Sequence, residues 1–437
     1  MNAELPRADR LTEHITSGWA AAWSHTPGPQ ALEWALLLAV AALAGHWVQR
    51  YTHLPKIIGY AVVGAIAGWA GLAGSAWPLG GVSLLLLELA IAIVLFEAGA
   101  RLSLRWLRHN PMLVVQSLAE SFATYAVAFL TLRALGLDLP VVRALSVLAV
   151  ASAPAVLMRV ASDLRADGPI TDRSIALATL NTLYALTLGT AMLRSIGRAD
   201  SSMLASVGLS LAVLGISLVL GGALALLLAG AFRILRATSQ DTAVVMLALV
   251  GACTAVAGPL GGSAPLAALL GGLLLKHIYP RPWVWPRQLG TAAYMLTIVM
   301  FVLVSSTAAQ ADWQVALIWA VLALIVVRAL AKVGALVAMS WGSGLSPRKS
   351  FWVGVTMVPM SSVALLLTSQ FASAAPAIGE KVSAVALPVI LMTELVGAVL
   401  VSLALTHTGE AAKSGAEPPP NEAAPELPPE TTQGPSL

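Results

Sequence analysis

The sequence predicts an all-α polytopic membrane protein with about 13 transmembrane helices. Of its 437 residues, 58% are hydrophobic and only 11% are charged, and the mean hydropathy is +0.83. Apolar runs of about 20 residues, the length of a helix that crosses a bilayer, recur along nearly the whole chain. Glycine and alanine are abundant, as expected where helices pack closely in lipid.

The first half of the chain predicts a polar leader followed by six spans. The leader, residues 1–30, mixes acids with Arg7 and Arg10 and does not have the pattern of a cleavable signal peptide. The six spans form a first repeat over residues 31–200. They lie at about 32–48, 57–73, 81–100 and 111–132, followed by a hydrophobic hairpin at about 140–195 that holds the fifth and sixth.

The second half repeats this pattern after a linker helix within residues 201–235, whose seventh span, 203–231, is long and free of charge. Because equivalent spans are an odd number of crossings apart, the two six-helix repeats are predicted to be inverted relative to each other. The chain from 407 to 437 is rich in Pro, Glu, Ala and Ser, which predicts a disordered cytoplasmic tail. The second repeat, 240–406, contains spans at about 241–257, 263–275, 290–309, 313–340, 350–371 and 383–406.

The loops carry an uneven distribution of basic residues. With thirteen spans, 16 Lys and Arg residues fall on the side of the C-terminus and 7 on the side of the N-terminus. The positive-inside rule therefore predicts a multi-pass protein of the cell inner (plasma) membrane, with its N-terminus outside and its C-terminus in the cytoplasm.

Two spans carry a proline at membrane depth. Pro154 lies two residues after Ser152 in the fifth span, and Pro359 lies at the corresponding place in the twelfth. Proline removes a helical N–H and clashes with a carbonyl one turn back, so both helices are predicted to be broken. A broken helix beside a polar one, here Asn181 and Thr182 of the sixth span, is a common way to build an ion or solute site. The alternative is a kink whose polar groups are satisfied by neighbouring helices.

Charged side chains at membrane depth are the other candidates, since each costs about 2.5–3.5 kcal/mol there. Arg328 and Lys332 are spaced i,i+4 on one face of the eleventh span. They act either as counter-charges for a transported ion or as structural ties to exposed carbonyls or to a carboxylate.

Three glutamates are candidate ion ligands or proton carriers. Glu97 lies near the end of the third span and could instead pair with Arg101, whereas Glu120 and Glu394 lie within the fourth and last spans and could pair with a basic residue of another helix. Hydroxyl groups at the second break, Ser361 and Ser362, are possible ligands, although serines in membrane helices often bond to their own backbone. Ser305, Ser306 and Thr307 offer hydroxyls in the tenth span.

The sequence contains no metal-ligand cluster, nucleotide-binding loop or nucleophile–base arrangement, so neither an enzyme nor a cofactor is expected. The pI of about 9.4 reflects basic residues in short loops and does not indicate nucleic-acid binding. The single cysteine, Cys253, excludes an intramolecular disulfide.

Several segments, in the correct order over about residues 50–405, resemble the monovalent cation:proton antiporter superfamily, which includes sodium/proton exchangers and potassium-efflux antiporters. THLPKIIGYAVVGAIAGWAG is similar to its second helix, and LELAIAIVLFEAGARLSLRWLRH to its third, where Glu97 matches a Phe-Glu-Gly glutamate. ASAPAVLMRVASDLRADGPIT resembles the broken fifth helix and GGSAPLAALLGGLLLKH the ninth. RALAKVGALVAMSWGSGLSPRKSFWVG resembles helix eleven, and LPVILMTELVGAVL the last helix.

The resemblance implies a secondary transporter, usually a homodimer, that exchanges Na⁺ or K⁺ for protons by alternating access. The family's sixth helix carries Asn-Asp or Asp-Asp, but Asn181 is followed here by Thr182. The usual Pro-Arg-Gly-Glu of helix twelve is Pro359-Met360-Ser361-Ser362. A threonine can lend an oxygen to a cation but cannot exchange a proton near neutral pH. If antiport persists, Glu97, Glu120 or Glu394 must therefore titrate.

Two alternatives remain open. With fewer acids and both Arg328 and Lys332, the midplane has a positive balance that also suits an anionic or neutral solute. The loss of acidic ligands equally suits a membrane sensor or partner subunit that does not transport. Against that second alternative, the proline breaks and buried charges are costly to keep without a use.

Overall fold

A computed structural model describes residues 28–72, 77–196, 203–235, 239–279, 287–311, 314–360 and 362–411. Every regular element within these ranges is a helix, which confirms the predicted all-α class. Most of the predicted leader (residues 1–27), most of the predicted tail (412–437) and Ser361 lie outside the described residues.

The first half of the chain forms nine helices along its described residues, and the fifth predicted span is divided into α6 and α7 by residues 151–153. A short helix, α4, follows the third span. The helices are α1 (Gly28–Thr52), α2 (Lys56–Trp69), α3 (Gly81–Arg101), α4 (Leu104–His109), α5 (Pro111–Ala134), α6 (Leu139–Val150), α7 (Pro154–Asp163), α8 (Pro169–Ser195) and α9 (Met203–Ile234).

The second half repeats this order, and the twelfth predicted span is divided into α14 and α15. The helices are α10 (Gln240–Leu260), α11 (Ala264–Ile278), α12 (Arg287–Ala309), α13 (Ile318–Ala338), α14 (Pro347–Thr356), α15 (Ser362–Ala374) and α16 (Pro376–His407). Residues 408–411 after α16 are ordered and contact α8, so the tail prediction was wrong for these residues.

Of the helices described, ten are long and apolar enough to cross a membrane when α6 and α7 are counted as one, and α2, α11 and α15 are shorter apolar helices. Large apolar side chains such as Leu211, Val219 and Leu226 of α9 point outward, as expected for a surface in contact with lipid. The count of thirteen spans stays a prediction.

Helix contacts between the two halves occur in matching pairs. The contact of α2 with α12 matches that of α11 with α3. The contact of α1 with α2 matches that of α10 with α11, and the contact of α5 with α6 matches that of α13 with α14. Helices α5 and α13, which are equivalent in the two halves, pack on each other. Matching pairs of this kind are expected of two related repeats, whereas their inversion and the division at 31–200 and 240–406 stay predictions.

Glycines allow the closest of these helix contacts. A Cβ on Gly64 of α2 would lie 2.6 Å from the carbonyl oxygen of Val302, and one on Gly68 would overlap the carbonyl of Ser306. A Cβ on Gly272 of α11 would in the same way overlap the carbonyl of Phe96. Small residues thus bring the α2–α12 and α3–α11 backbones into direct contact.

We expect Gly68→Ala to destabilise the protein by about 1–3 kcal/mol, because its methyl group meets helix backbone that cannot move aside cheaply. Thermal unfolding in detergent measures the effect. Gly208→Ala on α9 is the matched control, since a Cβ there meets no atom within 4 Å. Equal unfolding temperatures for the two variants would contradict the packing described here.

Candidate functional site

Both predicted helix breaks are present, and one side chain of α13 joins them. Arg328, completely buried, donates from Nε to the carbonyl of Ala149 at 2.8 Å and from one terminal nitrogen to that of Ala151 at 2.6 Å. On the second break it donates to the carbonyls of Pro359, at 3.2 Å, and Val358. The contact with carbonyls, one of the two alternatives for this residue, is therefore formed.

One turn further along α13, Lys332 forms a buried ion pair with Glu120 of α5. Its Nζ lies 2.6 Å from Glu120 Oε1 and 3.1 Å from the carbonyl oxygen of Val150, at the end of α6. Thr124 donates to the same carboxylate oxygen at 3.0 Å, and the side-chain amide of Asn181 donates to Oε2. Both carboxylate oxygens are therefore hydrogen-bonded, and the pair is 1% exposed at most.

A chain of polar contacts extends from this pair to both breaks. The hydroxyls of Ser117 and Ser121 each donate to Asn181 Oδ1 at 3.0 Å. The Asn181 amide lies 3.4 Å from Ser152 Oγ, which in turn lies 3.4 Å from the carbonyl oxygen of Met357. Four separate segments, α5, α8 and the two breaks, thus meet in one buried network.

Thr182, at the position where the family resemblance implies an aspartate, hydrogen-bonds to backbone carbonyls in this structure. Its hydroxyl lies 2.8 Å from the carbonyl oxygens of both Ser152 and Ala178. The side chain satisfies a carbonyl that the first break exposes, and it places no titratable group beside Asn181.

Glu394 lies in a different environment. It is 3% exposed, and its Oε2 accepts a hydrogen bond from Ser305 of α12 at 3.1 Å. Within the described residues it shares no hydrogen-bond partner with Glu120. The neighbouring Ser306 donates to the carbonyl of Leu303 in its own helix.

Glu97 lies outside the buried network. Its side chain is 24% exposed and forms an ion pair with Arg101 at 2.8 Å, the alternative noted for it from the sequence. It lines a cavity of about 440 Å³ together with Asp172, Trp106 and Lys276. The carbonyl of Pro359 belongs to the network through Arg328, and Pro154 is the first residue of α7 directly after the first break. Ser362, at the start of α15, is only half-buried.

Sequence reasoning missed the polar face of α5. Ser117, Ser121 and Thr124 flank Glu120 at intervals of three and four residues, so all four lie on one side of the helix. That spacing of polar residues within an apolar span predicts that one face of the helix lies toward a polar interior. The alternatives given for Glu120, a basic partner on another helix, and for Lys332, a carboxylate, are both realised in their ion pair.

The ligands available at this site are oxygens and one amine. Among the described residues, no group of three or more His, Cys, Asp or Glu side chains is arranged to hold a metal ion. Carboxylate, amide and hydroxyl oxygens suit hard cations, and the Glu120–Lys332 pair can take up or release a proton.

Comparisons with known proteins identify the family and the fold. The sequence model of the family described as "Sodium/hydrogen exchanger, transmembrane" matches residues 35–407. The chain therefore belongs to the sodium/hydrogen exchanger family, which confirms the monovalent cation:proton antiporter superfamily that the sequence resembles.

Two solved structures of the sodium proton antiporter MjNhaP1 from Methanocaldococcus jannaschii have a similar fold. One, at pH 8, gives a TM-score of 0.64 at 15% identity and covers 85% of this chain and 96% of that one. The other, an electron-microscopy structure, gives 0.60 at 17% identity and covers 85% and 94%. A comparison with curated protein sequences found no match.

We expect Arg328→Met to lower stability by more than about 3 kcal/mol, because four carbonyls near the breaks lose their donor and each unpaired group costs about 1–3 kcal/mol. The measurement is the unfolding temperature in detergent, with Arg105→Met on exposed α4 as the control. If the two variants unfold at the same temperature, Arg328 is not a structural tie.

Proposed function

We propose that the protein exchanges a monovalent cation, Na⁺ or K⁺, for protons by alternating access, and that Glu120 is the carboxylate that binds the cation while its partner Lys332 releases the proton. The observation that carries this proposal is the buried Glu120–Lys332 pair, which lies beside two broken helices and is surrounded by hydroxyl and amide groups. Buried ionisable groups at membrane depth are rare and mark ion and proton pathways.

The pair offers a simple basis for coupling. In the observed state the Lys332 ammonium neutralises Glu120. A cation that binds the carboxylate adds one positive charge to a buried site, and this costs several kcal/mol unless a charge leaves. Loss of one proton from the ammonium restores the balance, so cation uptake and proton release become a single exchange with no net change of charge at the site.

Glu120 also suits the role that the family's helix-six aspartate plays. Its Oε2 accepts a hydrogen bond from Asn181, the residue directly before Thr182, so it belongs to the same polar network as the missing aspartate would. Oxygens of Ser117, Ser121 and Thr124 are available around it as cation ligands. We therefore place the cation-binding role on Glu120, with Lys332 as the group that releases the proton, and not on Glu97 or Glu394.

Two cavities support alternating access. One is the cavity of about 440 Å³ beside Glu97, between the ends of α3 and α11 and the start of α8. The second, of about 380 Å³, includes Thr307, Gln310 and Ser383, near the end of α12 and the start of α16. In the proposed thirteen-span topology these cavities open toward opposite sides of the membrane.

The proposed site also includes the break residues Ser152, Pro154, Pro359, Ser361 and Ser362, together with Arg328 as the fixed charge. A homodimer in the cell inner membrane, with the C-terminus in the cytoplasm, completes the proposal on the basis of the family and the loop charges.

We expect Glu120→Gln to abolish cation-dependent proton movement, because glutamine keeps the shape but cannot bind a proton or balance a cation. Purified protein in liposomes with an imposed pH gradient and an internal pH dye measures the exchange on addition of Na⁺, K⁺ or Li⁺. Glu97→Gln, at the half-exposed pair, is the matched control and should retain activity.

Full activity in Glu120→Gln would move the cation-binding role to another group. If the wild-type protein responds to none of these cations between about pH 6 and 9, antiport itself is wrong. Another solute, or a sensor without transport, would then be favoured.

A further inference from the structure

The chain that leaves α16 turns back through a defined helix cap. The N–H of Glu410 donates to the carbonyl of Leu405 at 3.2 Å, and that of Gly409 donates to the carbonyl of Thr406 at 3.1 Å. These two bonds form a Schellman motif. Gly409 has φ +75°, the left-handed conformation that this motif requires and that glycine adopts without strain. The cap therefore fixes the direction in which Glu410 leaves the helix.

Glu410 binds the start of α8. Its Oε1 accepts from the backbone N–H of Ile170 at 2.8 Å, and its Oε2 from the N–H and the hydroxyl of Thr171, both at 2.7 Å. Its backbone carbonyl accepts from the N–H of Asp167 at 3.1 Å. The first N–H groups of a helix have no partner within it, and a negative charge there is favourable. Glu410, 239 residues after Thr171, supplies this cap.

Gly168 makes room for the contact. A Cβ at this position would lie 2.6 Å from Glu410 Oε1, so any other residue would push the carboxylate away. Two glycines, one at each end of the contact, are therefore required for one glutamate to reach α8.

Helix α8 connects this cap to the buried network. Asn181, which donates to Glu120, lies 12 residues after Pro169, about 18 Å along the same helix. Near its start, Arg173 donates to Gln116 Oε1 of α5 at 3.1 Å. Contacts at the first two turns of α8 thus contribute to fixing its position along its axis.

We propose that Glu410 is a positioning residue, which holds α8 so that Asn181 keeps its hydrogen bond to Glu120. The segment after α16 therefore acts on the cation site from a distance. This inference rests on the proposed function for its effect on transport, whereas the cap itself can be tested without transport.

Hydrogen exchange in the full-length protein tests the cap and the coupling together. In Glu410→Ala we expect protection of the amides at 170–173 to fall by about fivefold or more, and protection on α5 around Glu120 to fall with it. Gly409→Val should lower protection at the same amides, because it disturbs the helix cap, although it keeps the Glu410 carboxylate. Gly71→Val is the control, because Gly71 (φ +72°) closes the same kind of cap at the end of α2, and a Cβ there, as at Gly409, meets no atom within 4 Å. A loss of amide protection that is confined to the first turn of α8 would overturn the positioning role of Glu410.

Transport in liposomes supplies the second readout. We expect Glu410→Ala to raise the cation concentration for half-maximal exchange several-fold with little change in maximal rate, and Glu410→Gln to lie between it and wild type. In an Asn181→Ala background the Glu410→Ala effect should disappear. Additive effects, or an unchanged concentration dependence, would overturn the inference. Absence of exchange in the wild type would instead count against the proposed function, and the hydrogen-exchange result would still decide the positioning role.

Discussion

The centre of the structure depends on Arg328 and the carbonyls it binds. Each break leaves backbone groups without helical partners in a region with no water, and each unpaired group there costs several kcal/mol. A guanidinium has five donors in a fixed plane, so one side chain can serve both breaks at once. The ends of α6 and α14 are also the negative ends of their helix dipoles, which favour a cation. The breaks and the arginine therefore stabilise each other.

The same constraint explains where Lys332 lies. It follows Arg328 by one turn of α13 and donates to the carbonyl of Val150, the last residue of α6. Two cations so close together would repel each other without an anion, and Glu120 of α5 supplies one. Because α5 and α13 are equivalent helices of the two proposed repeats, the ion pair lies on the contact where those repeats meet. The ammonium that is proposed to release the proton is thus attached to α13, the helix whose Arg328 holds the breaks.

The sequence predicted features that depend on local chemistry and missed those that depend on distant partners. Long apolar runs predict helices and mid-span prolines predict breaks, so the all-α class and both breaks were found, although Pro388 lies within the continuous helix α16. The partner of Glu120 is 212 residues away, and that of Thr171 is 239 residues away, so no local pattern reveals them. Glu97 matches a family motif, yet its ion pair is the local one with Arg101. The composition of residues 408–411 predicts disorder, because composition does not show a helix cap that is completed by another helix.

Thr182 changes the charge balance on which exchange depends. With an aspartate at position 182, the two cations of α13 would face two carboxylates. The charges of these side chains would then cancel before a cation entered or left the site. With Thr182 only Glu120 faces Arg328 and Lys332 within this network, so the network carries one excess positive charge when all three are ionised. A further cation entering such a site meets repulsion that the low local dielectric makes strong. Because Arg328 cannot lose its proton, Lys332 is the group that must do so. The substitution that removes the familiar carboxylate therefore makes proton release a stricter condition for cation binding.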